Sequence, residues 1–251
     1  MSEVFHNVLS VEGNIGAGKS AFLQFITPHL KGMMERGSVH TLPEPVDLWK
    51  NVDGHGLNIL DRFYREPMKY AFAFQVNAFA SRLSLYANLQ REIGFFDMAL
   101  IERSVYGDHT MAENCRDSKM LDPEFMAIYE HTFQNLLGVF KHKPQGFIYV
   151  RTIPDLCVKR IIKRDRAEEA GMTASLGSND KLTEDTKMNY QYIYDIHTAH
   201  ERNFGAESGK SFRDERPVLI IDGSRDFVGD IAVQKDIAAK VMAFLEKTRA
   251  W

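Results

Sequence analysis

This sequence has few cysteines, no long apolar run and no large excess of either charge. It contains 251 residues and 2 cysteines, Cys115 and Cys157, whose dissimilar contexts speak against a disulfide framework or a zinc site. No apolar run approaches the roughly 20 residues that a membrane-spanning helix needs. The formal net charge of −3 gives no general attraction to nucleic acid or to an anionic membrane. We therefore expect a reduced, cytoplasmic protein with no nucleic-acid or membrane partner.

The sequence also lacks internal repeats, Pro/Gly/Ser-rich linkers and the marks of a targeting segment. Its first residues have neither the apolar core of a secretory signal nor the arginines of a transit peptide. Hydrophobic residues make up 44% of the chain and charged residues 26%, which is the composition of an ordinary globular protein. Because nothing divides the chain, we expect residues 1–251 to form a single domain.

A glycine-rich stretch near the start carries the clearest chemical signal. Residues 8–12 predict a buried strand, and the residues after them fit Gly-x4-Gly-Lys-Ser, the pattern of a phosphate-binding P-loop. Glycines let backbone N–H groups approach phosphate oxygens, and the following helix points its positive end at them. The predicted nucleotide-binding residues are Gly13, Asn14, Ile15, Gly16, Ala17, Gly18, Lys19 and Ser20. Lys19 would stabilise the transferred phosphoryl group and Ser20 would bind Mg²⁺, so a nucleoside triphosphate is the expected ligand.

Strand-like and helix-like segments alternate after this motif. Apolar spacing predicts helices over 21–34, 58–94 (divided near Pro67), 123–140, around 190–197, and over 228–247. It predicts strands over 38–42, 95–101, 146–150 and 218–221. Residues 171–187 are polar and predict a flexible loop. This alternation is typical of a parallel sheet flanked by helices, in which ligands bind beyond the carboxyl ends of the strands.

Acidic and basic residues follow two of these predicted strands. Glu44 lies between two prolines that stiffen the backbone, where a carboxylate could accept a proton from a hydroxyl near the γ-phosphate. From its local context alone, a solvated turn residue is an equally good interpretation. Glu102 and Arg103 follow a later strand and suit a metal-associated carboxylate and a phosphate-binding arginine, although a structural ion pair explains them as well.

Two further groups of polar residues have both a structural and a functional interpretation. Gln75 and Arg82 would share one face of an aromatic-rich helix. The local pattern favours satisfied core groups over residues that line a pocket. A cluster that includes Arg160, Arg164 and Arg166 would ordinarily be a solvated helix face. Its position after a strand-to-helix connection suits a lid over phosphates, in the region of residues 160–187.

Taken together, these segments resemble the deoxynucleoside kinase family. The resemblance rests on five motifs in order: Glu12-Gly13-Asn14-Ile15-Gly16-Ala17-Gly18-Lys19-Ser20, Glu44-Pro45-Val46 with Trp49, Phe72-Ala73-Phe74-Gln75, Glu102-Arg103-Ser104-Val105-Tyr106, and Arg164-x-Arg166-x-Glu168-Glu169. It implies an α/β P-loop kinase fold with a doubly wound, parallel, five-stranded sheet and an arginine-bearing lid. It further implies ATP, Mg²⁺, a homodimer and phosphorylation of a deoxyribonucleoside 5′-hydroxyl in nucleotide salvage.

The resemblance also implies a role for individual residues. Glu44 would take the 5′-hydroxyl proton, Arg103 would hold that hydroxyl and the phosphoryl group, and Glu102 would help to orient Mg²⁺. For the acceptor, it implies that Tyr64 and Glu169 bind the sugar 3′-hydroxyl, that Gln75 binds the base edge, and that Trp49, Phe63 and Phe74 form apolar walls. Arg164 and Arg166 would bind the transferred phosphate, with Arg160 in support. Phe227, next to Asp226, would lie on the adenine of ATP.

Two charged residues bear on the choice of acceptor base. Family members that accept thymidine tend to have an apolar residue where this chain has Arg82 and a small residue where it has Asp108. An Arg–Asp pair facing the base would suit a purine or cytosine and would crowd the methyl group of thymine. The resemblance therefore favours deoxyadenosine, deoxyguanosine or deoxycytidine over thymidine, without ranking those three.

One departure from the family and two alternative functions remain open on the sequence. Residues 170–187 form a longer segment than in the vertebrate members, so ATP as donor is an expectation only. A nucleoside-monophosphate kinase of the thymidylate type would share the P-loop, but Glu44 would face the acceptor phosphate with the wrong sign. A catalytically inactive structural subunit is disfavoured because the expected catalytic residues are intact, namely Lys19, Ser20, Glu44, Glu102 and Arg103.

Overall fold

Five parallel strands form one sheet at the centre of the chain. The computed structural model describes residues 7–34, 38–92, 97–138, 143–164, 166, 172, 184–205 and 215–248. The strands are β1 (Asn7–Glu12), β2 (Val39–Leu42), β3 (Met98–Glu102), β4 (Gly146–Arg151) and β5 (Val218–Asp222), and they lie in the order β2-β3-β1-β4-β5. Every neighbouring pair is parallel. The predicted parallel, five-stranded α/β fold is therefore confirmed.

Helices connect the strands and cover the sheet. Within the described ranges they are α1 (Lys19–Met33), α2 (Val46–Trp49), α3 (Ile59–Arg65), α4 (Pro67–Glu92), α5 (Val105–Asp117), α6 (Pro123–Leu137), α7 (Pro154–Arg164), α8 (Glu184–Phe204) and α9 (Ile231–Thr248). The predicted division near Pro67 is confirmed, since α4 begins at that residue, and α1 continues through Pro28. In the part of the chain that the structure describes, none of the helices combines the length and the apolarity needed to cross a membrane.

The central strands are buried along their whole length. All five residues of β3 are buried, as are the first five of β4, because helices cover the sheet and leave little of either strand in contact with water. This burial explains why both strands are almost continuous apolar runs in the sequence. The register pairs Val11 with Glu102 and Glu12 with Tyr149, so the ends of β1, β3 and β4 lie level at one edge of the sheet.

The structure differs from the sequence prediction at several elements, among them the short helix α2, which was not predicted. Helix α5 was not predicted, since residues 105–115 are all buried and include many polar side chains, which removes any apolar periodicity. Helix α8 begins at Glu184, inside the stretch expected to be a loop. Strand β3 begins at Met98, and residues 93–96 lie outside the described part. Helix α9 begins three residues later than expected because the Asp230 carboxylate accepts hydrogen bonds from the N–H groups of Ala232 and Val233.

Candidate active site

The P-loop connects β1 to α1 in a turn that requires glycine. Gly16 has a φ of +75° and Gly18 a φ of +100°, in the left-handed region that other residues rarely adopt. A Cβ atom on Gly16 would lie 2.5 Å from the carbonyl oxygen of Cys157 in α7. The turn is therefore fixed both by its own backbone and by close contact with the neighbouring helix.

Side chains from other elements hold the outer side of this turn. Asn14 donates from Nδ2 to the carbonyl oxygen of Ile193 in α8 at 2.8 Å. Thr152 and Arg160 both donate to the carbonyl oxygen of Ala17, each at 2.9 Å, and Arg160 also donates to that of Gly223. Arg160 therefore stabilises the P-loop backbone, so its guanidinium is already occupied in this structure.

Lys19 and Ser20 occupy the first turn of α1 at the mouth of the cavity. The Lys19 Nζ atom donates to the carbonyl oxygens of Gly13 at 3.2 Å and Asn14 at 2.9 Å. Burial, together with the positive charge of Arg103, lowers the pKa of Lys19 to about 8. The Ser20 hydroxyl donates to Glu102 Oε1 at 2.9 Å, so the two residues expected to bind the metal are adjacent.

These oxygen atoms fit the preferences of Mg²⁺, which takes hard oxygen ligands and retains several waters. Across the described residues, no group of three or more His, Cys, Asp or Glu side chains is placed to hold a metal ion. A Mg²⁺ ion at Ser20 and Glu102 would therefore need phosphate oxygens and water to complete its coordination.

A chain of alternating charges begins at Glu44, just beyond β2. Its Oε1 atom accepts from Arg82 Nη2 at 3.1 Å and from Arg103 Nε at 3.2 Å. Burial alone would raise the pKa of Glu44, but the charges of Arg103, Arg82 and Lys19 outweigh it and lower this pKa to about 2. The carboxylate is consequently ionised at any physiological pH and can accept a hydrogen bond from a hydroxyl group.

Arg82, from α4, connects Glu44 to Asp108 in α5. Its Nε atom donates to Asp108 Oδ2 at 2.7 Å, and its Nη1 atom donates to the carbonyl oxygens of Glu102 and Arg103. Burial raises the pKa of Asp108, while the charge of Arg82 acts in the opposite direction. Asp108 lines the cavity, whereas Arg82 lies behind the two carboxylates that it binds. Any effect of Arg82 on an acceptor base would therefore pass through Asp108, and not through the direct contact that the sequence suggested.

Arg103 stands at the turn between β3 and α5 in an unusual conformation. Its φ is +63°, which is rare for a residue with a side chain. The turn is held by Glu12, whose Oε1 atom accepts from the Ser104 N–H at 2.9 Å and from its hydroxyl at 2.6 Å. Gly107 makes room for this arrangement, since a Cβ atom there would lie 2.3 Å from Glu12 Oε2 and 2.5 Å from Arg103 Cγ.

The cavity enclosed by these residues has a volume of about 340 Å³ and runs from the P-loop to a partly aromatic wall. Trp49 meets Phe74 edge-on with ring centroids 5.4 Å apart, and Phe63 stacks behind Phe74 at 5.0 Å. Gln75 lies at the same end and donates from Nε2 to Cys115 Sγ at 3.4 Å. The cavity thus combines charged residues with a partly aromatic wall that carries a few polar groups, as a small organic ligand would require.

A family model described as deoxynucleoside kinase matches residues 9–177, about two thirds of the chain. The chain belongs to the deoxynucleoside kinase family. The inference from the sequence motifs is thereby confirmed, and the protein is an enzyme of this family. Its curated relatives include a probable deoxycytidine kinase of fowlpox virus (strain NVSL), 28% identical over 96% of this chain and 89% of the relative. Deoxycytidine kinase of Rattus norvegicus is 30% identical over 96% of this chain and 91% of its own, and mitochondrial deoxyguanosine kinase of Xenopus laevis is 26% identical over 94% and 89%.

Most of the residues predicted from the sequence of this deoxynucleoside kinase line the same cavity. They are Ile15, Gly16, Gly18, Lys19, Ser20, Glu44, Trp49, Tyr64, Phe74, Gln75, Glu102, Arg103, Asp108, Arg164 and Arg166. Phe63 supports this wall from behind. Glu169 lies outside the described residues, as does most of the predicted lid. The roles proposed for these side chains remain predictions, although their convergence on one cavity agrees with them.

Phe227 and Asp226 occupy a different environment from the one that the kinase motifs suggested. The Phe227 ring is only 2% exposed and packs against Phe25, with ring centroids 5.3 Å apart. It lies directly beneath the P-loop, since a Cβ atom on Gly18 would be 3.1 Å from its Cζ atom. Asp226 accepts from the N–H groups of the next turn, including that of Gly229 at 2.9 Å. The Phe227 ring therefore packs against the P-loop at Gly18, and Asp226 stabilises the turn that follows it; their expected contact with ATP stays a prediction.

Sequence reasoning missed several residues of the kinase cavity. Met111 and Tyr192 line its acceptor end, and Cys115 contacts Gln75. Met111 and Cys115 lie on the unpredicted helix α5, while Tyr192 belongs to a run of apolar positions on α8 that is typical of ordinary core. His200, also on α8, lies 3.3 Å from Arg103. No local signal distinguishes these residues, because each acquires its position only through contacts between distant elements.

Proposed function

We propose that this kinase transfers the γ-phosphoryl group of ATP to the 5′-hydroxyl of a deoxyribonucleoside, in nucleotide salvage. The observation that carries the proposal is the placement of Glu44. This carboxylate lies in the same cavity as Lys19 of the P-loop and is held by two arginines. A hydroxyl bound at Glu44 would be directed toward a phosphate held by the P-loop.

The low pKa of Glu44 indicates how it would act. A carboxylate with a pKa of about 2 binds a hydroxyl through a hydrogen bond but is a weak base toward it. As negative charge develops on the transferred group, Arg103 and Lys19 would engage that charge and interact less with Glu44. The carboxylate then becomes more basic at the stage of the reaction when the proton must leave the hydroxyl.

Positive charge in the cavity would stabilise the transferred group. Lys19, Arg103, Arg164 and Arg166 all line the cavity, and their charges suit the equatorial oxygens of a phosphoryl group in transfer. Ser20 and Glu102 would hold a Mg²⁺ ion, which when bound neutralises charge on the donor phosphates. Two carboxylates in the acceptor half, Glu44 and Asp108, would repel an acceptor that already bears a phosphate, which disfavours a monophosphate substrate.

Asp108 supports a preference for acceptors with an exocyclic amino group. Adenine, guanine and cytosine each carry such a donor, whereas the exocyclic groups of thymine are two carbonyl oxygens and a methyl group, none of which can donate to the carboxylate. Relatives of this chain are named as deoxycytidine and deoxyguanosine kinases, which agrees with this preference. We therefore propose deoxyadenosine, deoxyguanosine or deoxycytidine as the acceptor, with thymidine a poor substrate.

Steady-state kinetics with the four deoxynucleosides and ATP test this proposal. We expect measurable kcat/KM with at least one of the three amino-bearing bases and a lower value with thymidine. Thymidine as the best acceptor would contradict the base preference, and turnover of monophosphates alone would contradict the function. GTP and UTP as alternative donors, at the same concentration, test the preference for ATP.

Replacing the charged pair sharpens the test of base preference. The double substitution Arg82→Met with Asp108→Ala should raise the ratio of thymidine to deoxycytidine kcat/KM. It should also lower kcat with every acceptor, because Arg82 holds Glu44 as well. Asp108→Ala alone is the matched control, since it leaves the Arg82–Glu44 contact in place. An unchanged thymidine ratio in both variants would count against the role of Asp108.

The proposal includes a homodimer and a cytoplasmic location. An apolar surface formed by α4 and α6 supports the dimer: Met68 is 70% exposed, Ile128 51% and Phe125 44%, and Phe72 stacks on Phe125 at 4.9 Å. Clusters of this kind on a protein surface often mark an interface. Light scattering on the purified protein should give twice the mass of one chain, and Ile128→Asp should reduce it to that of a monomer.

A further inference from the structure

His200 is a buried histidine that contacts the proposed catalytic machinery from the opposite side to Glu44. It lies on α8, is fully buried, and its Nδ1 atom is 2.9 Å from the carbonyl oxygen of Ile196. Because a carbonyl oxygen only accepts hydrogen bonds, Nδ1 must carry the proton of the neutral ring. The Nε2 atom is then an acceptor, and Arg103 Nη1 donates to it at 3.3 Å.

The surroundings of His200 keep the ring in this form. Burial lowers its pKa well below the usual value, and the charges of Arg103 and Lys19 act in the same direction. A protonated ring would place a third positive charge beside these two cations. The neutral ring, with Nε2 free of a proton, is therefore the form that faces Arg103.

His200 and Glu44 together determine the orientation of the Arg103 guanidinium. Glu44 Oε1 accepts from Nε and His200 Nε2 accepts from Nη1, so two different nitrogens of one planar group are bound. Two such hydrogen bonds prevent the guanidinium from rotating relative to the rest of the side chain, whereas a single hydrogen bond would still allow that rotation. The backbone of Arg103 is fixed too, by its N–H donating to the carbonyl oxygen of Val11 at 3.0 Å.

We infer that His200 is a positioning residue for phosphoryl transfer: by accepting a hydrogen bond from Arg103, it directs the remaining guanidinium N–H groups toward the transferred phosphoryl group. This inference rests on the proposed function, because it assigns Arg103 to the phosphoryl group. It predicts that loss of the acceptor at position 200 slows the chemical step more than it weakens substrate binding.

A role in packing alone is the competing explanation. The His200 ring is nearly parallel to that of Tyr149, at a centroid distance of 6.1 Å, and lies 5.9 Å from that of Phe204. If packing were the whole role, an aromatic ring without nitrogen would replace His200 well. An acceptor without a ring would then replace it poorly.

Two substitutions separate these explanations. His200→Phe keeps an aromatic ring and removes the acceptor, whereas His200→Gln removes the ring and can place an amide oxygen near the position of Nε2. We expect His200→Phe to lower kcat about tenfold or more, with KM for deoxynucleoside and ATP within about twofold of wild type. His200→Gln should retain a higher kcat than His200→Phe, even if its melting temperature is lower. His197→Phe, one turn earlier on α8, is the matched control and should leave kcat unchanged.

The reverse order of kcat, or an unchanged kcat in His200→Phe, would overturn the inference. If the phenylalanine variant does not fold, His200→Leu also lacks an acceptor and carries the same prediction. An equally low kcat in the His197→Phe control would assign the effect to helix packing and would also overturn it.

A second measurement does not depend on activity and therefore separates failure of this inference from failure of the proposed function. His200→Phe and Arg103→Met are made singly and together, and chemical denaturation is followed for these three variants and the wild type. We expect His200→Phe to lower the denaturation midpoint clearly when Arg103 is present, because the single variant leaves a buried guanidinium N–H unpaired. The same substitution should lower the midpoint little in the Arg103→Met background, which has no guanidinium. Equal shifts would overturn the inference. An inactive wild type with coupled shifts would instead reject the proposed function and retain the His200–Arg103 contact.

Discussion

The donor end and the acceptor end of the cavity are constructed differently. At the donor end, the P-loop turn between β1 and α1 presents backbone N–H groups, with Gly13, Gly16 and Gly18 at positive φ. At the acceptor end, side chains from the β2–α2 connection, α4, the β3–α5 turn and α8 meet in a network of charges. The donor end depends on backbone conformation, and the acceptor end depends on the balance of charge among distant residues. Mutations at the two ends should therefore have different effects.

The largest expected effect is at the acceptor end. Glu44→Gln keeps the shape of the side chain but removes the negative charge between Arg82 and Arg103. We expect kcat to fall by about 10²- to 10⁴-fold, because the group proposed to receive the proton is lost. Glu66→Gln, at an exposed position, is the control for the same chemical change. A Glu44→Gln variant that kept most of its turnover would contradict both the proposed base and the importance of charge at this end.

The matching change at the donor end is Gly16→Ala. The new Cβ atom would lie 2.5 Å from the carbonyl oxygen of Cys157, at a φ of +75°, which costs at least about 1 kcal/mol in conformation alone. We expect a lower melting temperature and a large rise in KM for ATP. Gly32→Ala makes the same chemical change in α1, where no atom lies within 4 Å of the added Cβ, and should leave both quantities intact. Equal behaviour of the two variants would show that neither the positive φ of Gly16 nor its close contact with Cys157 constrains the P-loop turn.

The pH dependence of the two ends should differ in sign and position. The pKa of Lys19 is lowered to about 8 and that of Glu44 to about 2. Lys19 therefore loses its positive charge as pH rises above about 8, whereas Glu44 stays ionised through the neutral range. In the free enzyme, kcat/KM for ATP should decline above that pH, since phosphate binding needs the charged amine. Lys19→Arg should remove this alkaline decline. A profile that stays level to about pH 10 in the wild type would contradict the lowered pKa.

The same pKa values predict how stability depends on pH. The pKa of Glu44 is lower in the folded protein than its ordinary value of 4.5, so its ionised form stabilises the fold above that pH, and this contribution is lost as pH falls toward 2. The folded-state pKa of Lys19 lies below its ordinary value of 10.5. The unfolded chain therefore binds more protons between about 8 and 10.5, and stability rises with pH there. Denaturation midpoints measured across these ranges for wild type, Glu44→Gln and Lys19→Met check both signs.

The smallest expected effect concerns Cys115. This thiol accepts a hydrogen bond from Gln75 Nε2 at 3.4 Å, and burial raises its pKa to about 12, so it remains a neutral thiol. Cys115→Ala should raise KM for the deoxynucleoside a few-fold, with little change in kcat, because Gln75, the proposed contact to the base, would be less well oriented. Cys157→Ala, at the other buried cysteine, is the control and lies outside the acceptor wall. An effect on kcat, and not on KM, would indicate that Cys115 acts on the charge network instead.

The difference between the two ends also explains what could be predicted from sequence. The P-loop is contiguous, so its pattern of glycines, lysine and serine could be recognised directly. Glu44 could be proposed because prolines on both sides fix its local backbone. Strands β3 and β4 could be predicted because their burial makes them almost continuous apolar runs.

Contacts between distant elements could not be predicted in this way. Arg82 was placed correctly on a helix face with Gln75, but its hydrogen bond to Glu44 joins residues 38 positions apart, and no local pattern encodes such a distance. Helix α5 was missed because its polar residues are buried through pairing with other elements. His200 looks like an ordinary core position on α8, since only the fold places Arg103 against it.

The double role of Arg82 restricts how this enzyme could acquire a new acceptor. Its guanidinium binds both Asp108, which is proposed to face the base, and Glu44, the carboxylate proposed to receive the proton. A mutation at Arg82 that admitted another base would also withdraw a hydrogen bond from Glu44, so broader specificity would arrive together with slower turnover. A mutation at Asp108 leaves the Arg82–Glu44 bond in place. In natural or directed evolution of acceptor choice, Asp108 should therefore be substituted first. Arg82 should be substituted only after another mutation has replaced the hydrogen bond that Arg82 donates to Glu44.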